Sequence, residues 1–177
     1  MLDLDSLQAM FRKGKKLRFV FFWKPEQANA VGPGCLSQWQ SAPFTLEGVR
    51  YFSAEQYMMA EKARLFGDEA AHRAILAASS PTQIKRLGRE VRGFTQSEWD
   101  NERERIVYQG NVAKFSQNDA LRSFLLNTGD KVLVEASPHD RVWGIGLSEQ
   151  EKAARNPLLW KGKNLLGFIL MRVRAEF

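Results

Sequence analysis

The sequence predicts an α+β fold: a single, mainly helical domain packed around a small β-sheet. Three observations carry that expectation. Helix-opening caps recur at Ser53, Ser80 and Thr95, each followed by apolar residues at helical spacing. Apolar runs suited to buried strands are short and few, chiefly Leu17–Trp23 and Lys131–Glu135. At 177 residues the chain suits one hydrophobic core, and no linker, internal repeat or low-complexity segment divides it.

Taken in order, residues 1–11 suit a short helix, and Arg12, Lys13, Lys15 and Lys16 form a basic cluster behind it. Residues 1–16 therefore read as an N-terminal basic extension and 17–177 as the domain. Leu17–Trp23 is apolar and aromatic enough for a buried strand, and residues 24–36, with Pro25, Gly32, Pro33 and Gly34, read as a loop. Phe44–Tyr51 alternates about Glu47-Gly48, a hairpin signal. Ser53 and Gln56 form a capping box opening a helix over 54–66 that Gly67 stops; another follows over 68–78. Ser80 with Pro81 at the first helical position opens a helix to about Leu87. Thr95 opens the longest helix, to about Phe115, turning Trp99, Ile106, Val107 and Ala113 inward and its Glu/Arg series outward in i,i+4 pairs. Gly110 within it costs helix stability, which points to close approach of another backbone. A helix over 118–127, a buried strand at Lys131–Glu135 and an amphipathic helix from Asn164 to Val173 complete the chain.

Composition narrows the function classes. Net charge is +6 with a pI near 9.6, yet basic residues are interleaved with acids, as in Glu102-Arg103-Glu104-Arg105. That balance suits an anionic ligand better than a specific DNA site. No apolar run approaches the roughly 20 residues that cross a bilayer, and the N-terminus lacks a signal-peptide layout. With Cys35 as the single cysteine, the expectation is a reducing cytoplasm. One cysteine and two histidines argue against a zinc site, and no phosphate loop or complete dinucleotide fingerprint is present, so no cofactor is expected. Cys35 has no evident partner base and reads as an inert thiol.

Two stretches are dense in chemistry. In residues 53–63, Glu55 falls in the first helical turn, where the dipole favours a negative charge, and Lys62 follows seven residues on, about 20° from the same stripe. With Met58 and Met59 between them, the pair is either two snorkelling ends of a surface helix or two walls of a site. In residues 135–146, Glu135, Asp140, Trp143, Gly144 and Gly146 cluster, as a ligand-facing loop or a tight turn around a packed indole.

The ordered set resembles the NADAR superfamily, or YbiA-like proteins, small N-glycosidases acting on ribose-linked compounds. The matching segments are Pro43-Phe44; Ser53-Ala54-Glu55-Gln56-Tyr57-Met58-Met59-Ala60-Glu61-Lys62; Trp99 with Arg105 and Lys114-Phe115; Glu135 through Asp140 to Trp143-Gly144-Ile145-Gly146; and Gly162-Lys163-Asn164 with Gly167. They run over about residues 17–175. Gln38 stands where the family commonly has asparagine, which places one more methylene at a substrate contact.

The resemblance implies hydrolysis of the C–N bond between ribose C1 and an amine or base. Its expected substrates are phosphorylated ribosylamino-pyrimidine intermediates of riboflavin synthesis, or ADP-ribosylated guanine; nucleic acid enters only as a modified substrate, and no membrane is involved. Glu55 and Asp140 are the implied carboxylate pair, one on the oxocarbenium face and one handling protons. Lys62 either holds a ribose or phosphate oxygen or forms a Schiff base with an opened C1. Lys114 and Arg105 are expected on phosphate, Trp143 and Trp99 on the base, Asn164 on ribose hydroxyls, Glu135 as a second acid, and Gln38 and Gly144 against substrate. A non-catalytic ADP-ribose or nucleotide reader, and a nucleic-acid-binding module, are the competing readings. Oligomeric state is left open by the sequence.

Overall fold

In the computed structural model, which describes residues 2–27 and 30–177, the chain runs α1 (Leu4–Arg12), β1 (Phe19–Phe22), β2 (Phe44–Leu46), β3 (Val49–Tyr51), α2 (Ala54–Leu65), α3 (Glu69–Ala77), α4 (Pro81–Arg89), α5 (Gln96–Ser116), α6 (Asp119–Asn127), β4 (Val132–Glu135) and α7 (Leu165–Arg174). The order is α+β and mainly helical. Single 3-10 turns lie at Pro33–Leu36, Lys152–Arg155 and Pro157–Leu159. The first of these falls inside the stretch expected to be all loop; Pro33 at its first position supplies the preset φ. Residues 28 and 29 of that stretch lie outside the described residues.

Two compact units form: residues 1–37 with 120–177, and residues 38–119. The small sheet is correspondingly two separate pairs of strands. In the first unit β1 pairs with β4 in parallel, Phe19 opposite Val132 through Phe22 opposite Glu135. In the second, β2 and β3 form the hairpin, with Glu47 and Gly48 both at positive φ (51° and 79°), the geometry that twists in step with its strands. The whole second unit is thus inserted, in sequence, between the two strands of the first.

The core of the first unit gathers Leu7, Val132, Val134, Ile145, Leu147, Ala154 and Phe168. Asp3 and Ser6 cap α1 reciprocally, and its one fully buried residue, Leu7, sits in this core, so the segment read as an extension is packed structure up to Arg12. In the second unit Phe44, Tyr51 and Tyr57 pack ring on ring, with centroids 5.1–6.1 Å apart. Burial, with Glu61 beside them, holds both phenols above the usual tyrosine range. Gly110 does face a close neighbour, but it is the Tyr57 ring and not a backbone: a Cβ would lie 2.5 Å from Tyr57 Cδ1.

Two further expectations change. Gln56 does not complete the capping box with the Ser53 N–H. Its Oε1 accepts from Phe52 N at 2.8 Å, while its Nε2 donates to Ile75 O at 3.0 Å, tying the start of α2 to the end of α3. On α5, Arg103 points inward and is buried on Asp100, and the charge pairs are i,i+3 rather than i,i+4.

Leu7→Ala should lower the unfolding free energy by about 2–5 kcal/mol in a denaturant titration, the range for emptying a buried leucine site. A value near zero would mean that α1 is an appendage.

Candidate functional site

Helix α2 carries the first group of candidates. Its N-terminal N–H groups are satisfied locally: Gln56 N by Ser53 Oγ at 3.2 Å, and Glu55 N by the carbonyl of Gln38 at 2.9 Å. Glu55 is buried in the first turn, with the positive end of the helix dipole behind it. Near the other end of α2, Lys62 donates to Gly88 O at 2.8 Å, a carbonyl in the last turn of α4. Its ammonium lies 4.3 Å from the Phe94 centroid and 5.8 Å from that of Trp99. Burial in this aromatic cradle lowers the Lys62 pKa below that of an ordinary lysine. Trp99, buried and facing this ammonium, belongs to the lysine cradle.

Arg105 sits elsewhere. Its guanidinium is bound to Glu102 at 2.6 Å and to Gln109 at 3.0 Å, and it lines a groove of about 410 Å³ with Arg64, Tyr57 and Tyr108. Tyr57 and Arg64 each lie two residues on from Glu55 and Lys62, about 200° around the axis of α2. The groove and the Glu55–Lys62 stripe are therefore on opposite faces of that helix, and Arg105 is not grouped with Lys62. Lys114 is wholly buried in the last turn of α5, its Nζ 4.9 Å from the Phe115 centroid.

The first unit carries the second group. Asp140 Oδ1 accepts the N–H groups of Val142 at 2.8 Å and Trp143 at 2.7 Å, which braces the loop, while Oδ2 takes no hydrogen bond from any described residue. The loop is pinned by backbone bonds along its length: Ile145 N to Glu135 O, Gly146 N to Asp140 O, and Leu165 N and Leu166 N to the carbonyls of Val142 and Trp143. Trp143 stays half-buried, and so does Glu135.

Two of the expected substrate contacts also make close contacts within the protein. The amide of Asn164 is engaged at both ends, Oδ1 by Glu135 N at 3.0 Å and Nδ2 on Leu133 O at 2.9 Å, and the residue is wholly buried. It takes the place of a strand beside β4. Gly144 is a glycine because a Cβ would lie 2.7 Å from Glu135 O, a close approach of the protein's own backbone.

Residues 21–177 match the NADAR domain. The chain belongs to the NADAR family. The NADAR match covers every candidate named above and leaves α1 outside it. N-glycosidase R617 of Acanthamoeba polyphaga mimivirus is 46% identical over 90% of this chain and 96% of its own length. N-glycosidase YbiA of Escherichia coli is 32% identical over 81% of each chain. The NMR structure of E. coli YbiA superposes with a TM-score of 0.72, at 28% identity, over 92% of this chain and 86% of that one. Among the described residues of this NADAR chain, no cluster of three or more His, Cys, Asp or Glu side chains suits a metal ion, and no helix is long and apolar enough to cross a membrane.

Sequence reasoning missed the partners of Lys62 and the role of Asn111. Gly88 and Phe94 lie 26 and 32 residues beyond Lys62 in sequence, where no local pattern links them. Asn111 had a readable signal: an amide side chain in line with Val107 and Lys114 on the inward stripe of α5.

The lowered Lys62 pKa has a definite sign in stability. Between its folded value and the ordinary 10.5, the unfolded chain holds the proton that the native chain has released. Stability therefore rises with pH across that interval. Nζ titration by NMR should give a midpoint below 10.5, and Lys62→Met should remove the rise in a pH series of denaturation curves. An ordinary midpoint would mean that the cradle does not desolvate the amine.

Proposed function

We propose that this protein is an N-glycosidase that cleaves the bond between ribose C1 and an amine or base, acting on phosphorylated ribosylamino-pyrimidines of riboflavin synthesis or on ADP-ribosylated guanine. The hydrolysis of N-glycosyl bonds follows from its NADAR membership and from relatives named N-glycosidases across nearly the whole chain. The observation that carries the chemical reading is the Asp140 carboxylate, fixed through one oxygen by two backbone N–H groups and taking no hydrogen bond from a described residue at the other. Departure of the nitrogen leaves positive charge on C1 and the ring oxygen, and a carboxylate already in place stabilises it without reorganising.

Glu55 and Asp140 are the carboxylate pair, one facing the oxocarbenium carbon and one supplying or removing a proton, with Glu135 as a further acid. Trp143 offers its indole to the base, and Lys114 its charge to a phosphate. Lys62 acts by one of two routes. As a cation it holds a sugar or phosphate oxygen. As the neutral amine, whose share its surroundings raise, Nζ adds to the opened C1, the amine or base leaves with a proton, and water hydrolyses the resulting imine.

Incubation with ribosylamino-pyrimidine phosphate and with ADP-ribosylated guanosine, followed by mass spectrometry, should reveal the free sugar from one of them. Glu55→Gln and Asp140→Asn should each lower that rate by roughly 10²–10⁴-fold with the fold retained. Borohydride added during turnover should leave a reduced sugar on Lys62 if the imine route operates, and no adduct if hydrolysis is direct. Absence of sugar from both substrates, with ADP-ribose still bound, would make the protein a reader and not an enzyme.

A further inference from the structure

Among the described residues, Nε2 of Gln38 and Oδ1 of Asn111 are buried with no hydrogen-bond partner, and they belong to one pair of side chains. Asn111 is wholly buried and Gln38 is 7% exposed. Their orientation is determined by their surroundings. Asn111 sits on α5 and gives one amide proton to Val107 O at 2.8 Å, which forces its nitrogen toward the helix backbone. The same nitrogen donates to Gln38 Oε1 at 2.8 Å. Turning Asn111 over would set its oxygen against the Val107 and Gln38 oxygens, and turning Gln38 over would set one NH2 group against the other. The chain of constraint runs from the Val107 carbonyl to Asn111 to Gln38, and it ends with the Gln38 nitrogen committed as a donor that no described residue accepts. A buried donor in that state is costly unless something else takes its proton. Gln38 is also the residue whose backbone carbonyl receives the Glu55 N–H, which ties its backbone to the start of α2.

We propose that Asn111 is a positioning residue that fixes Gln38 as a hydrogen-bond donor, so that position 38 selects substrates presenting an acceptor oxygen there: a sugar oxygen or a carbonyl of the base. This rests on the N-glycosidase reading for its substrate class, but the orientation of Gln38 is independent of that reading.

Side-chain amide NMR of the whole protein tests the orientation directly. The Gln38 amide resonances should shift in Asn111→Leu (or Asn111→Ala, should the leucine variant not fold), and in wild type they should shift on adding ribose 5-phosphate if the acceptor is a sugar oxygen, or free uracil or guanine if it is a base carbonyl. No response to Asn111 replacement, or to any of these probes, overturns the proposal whether or not the protein hydrolyses anything. On the substrate that wild type cleaves, Gln38→Met and Asn111→Leu should each raise KM by roughly 10–100-fold with kcat little changed, the loss expected for one unpaired donor. The double variant should be no worse than Gln38→Met alone, because Asn111 acts through Gln38. Additive losses would show that it does not. A wild type that hydrolyses neither substrate yet shifts its Gln38 amide with ribose 5-phosphate refutes the enzyme and leaves the donor in place.

Discussion

Backbone polar groups must be satisfied where short elements run out of regular partners, and this obligation shapes both units. β4 has a single strand beside it, so its other edge would present bare N–H and C=O groups to the core. Asn164 closes that edge with both ends of its amide, from a backbone position at φ 53° that few residues other than glycine, asparagine and aspartate tolerate. The loop behind Asp140 adds Ile145 N on Glu135 O. Once those bonds are made, Asp140 and Trp143 have little freedom in where they stand.

The second unit answers the same demand with Gln56, whose amide joins Phe52 N to the carbonyl end of α3. The capping of α2 by Ser53, Gln38 and Gln56 fixes the helix that carries Glu55 and Lys62 at its two ends. Carboxamides suit this work because each brings a donor and an acceptor without the desolvation cost of a charge. Charge is kept for fewer places: the Lys62 ammonium on a helix-terminal carbonyl between two rings, and carboxylates on turns and first helical turns.

The family places the chain among N-glycosidases, and the residues supply a consistent physical account of such chemistry. C–N cleavage asks for a fixed negative charge near a carbon that becomes positive, a proton for the departing nitrogen, and a flat apolar face for the base. Asp140, Glu55 and Trp143 are side chains of those kinds, and Asp140 is held by the N–H groups of Val142 and Trp143. Asn164, Gly144 and Trp99 are built into the supports, and Arg105 belongs to a groove on the opposite face of α2.

Helix beginnings were legible because caps are local: Ser53 and Ser80 each bond an N–H three residues on, and the sequence displays both partners. The hairpin was legible for the same reason, since Glu47-Gly48 must carry two positive φ angles. The motif residues of α2 and of the 135–146 loop could be picked out as unusual, because charge beside apolar or glycine-rich sequence is conspicuous. What the sequence by itself determined was therefore everything whose energetics close within a few residues. The parallel pairing of β1 with β4 across the entire second unit, the strand-mending role of Asn164, the cradle of Lys62 and the locked Gln38–Asn111 amides were decided only by tertiary structure. In each of these the partner lies at least 26 residues away in sequence, and a hydrogen bond or ring contact leaves no periodicity at that range.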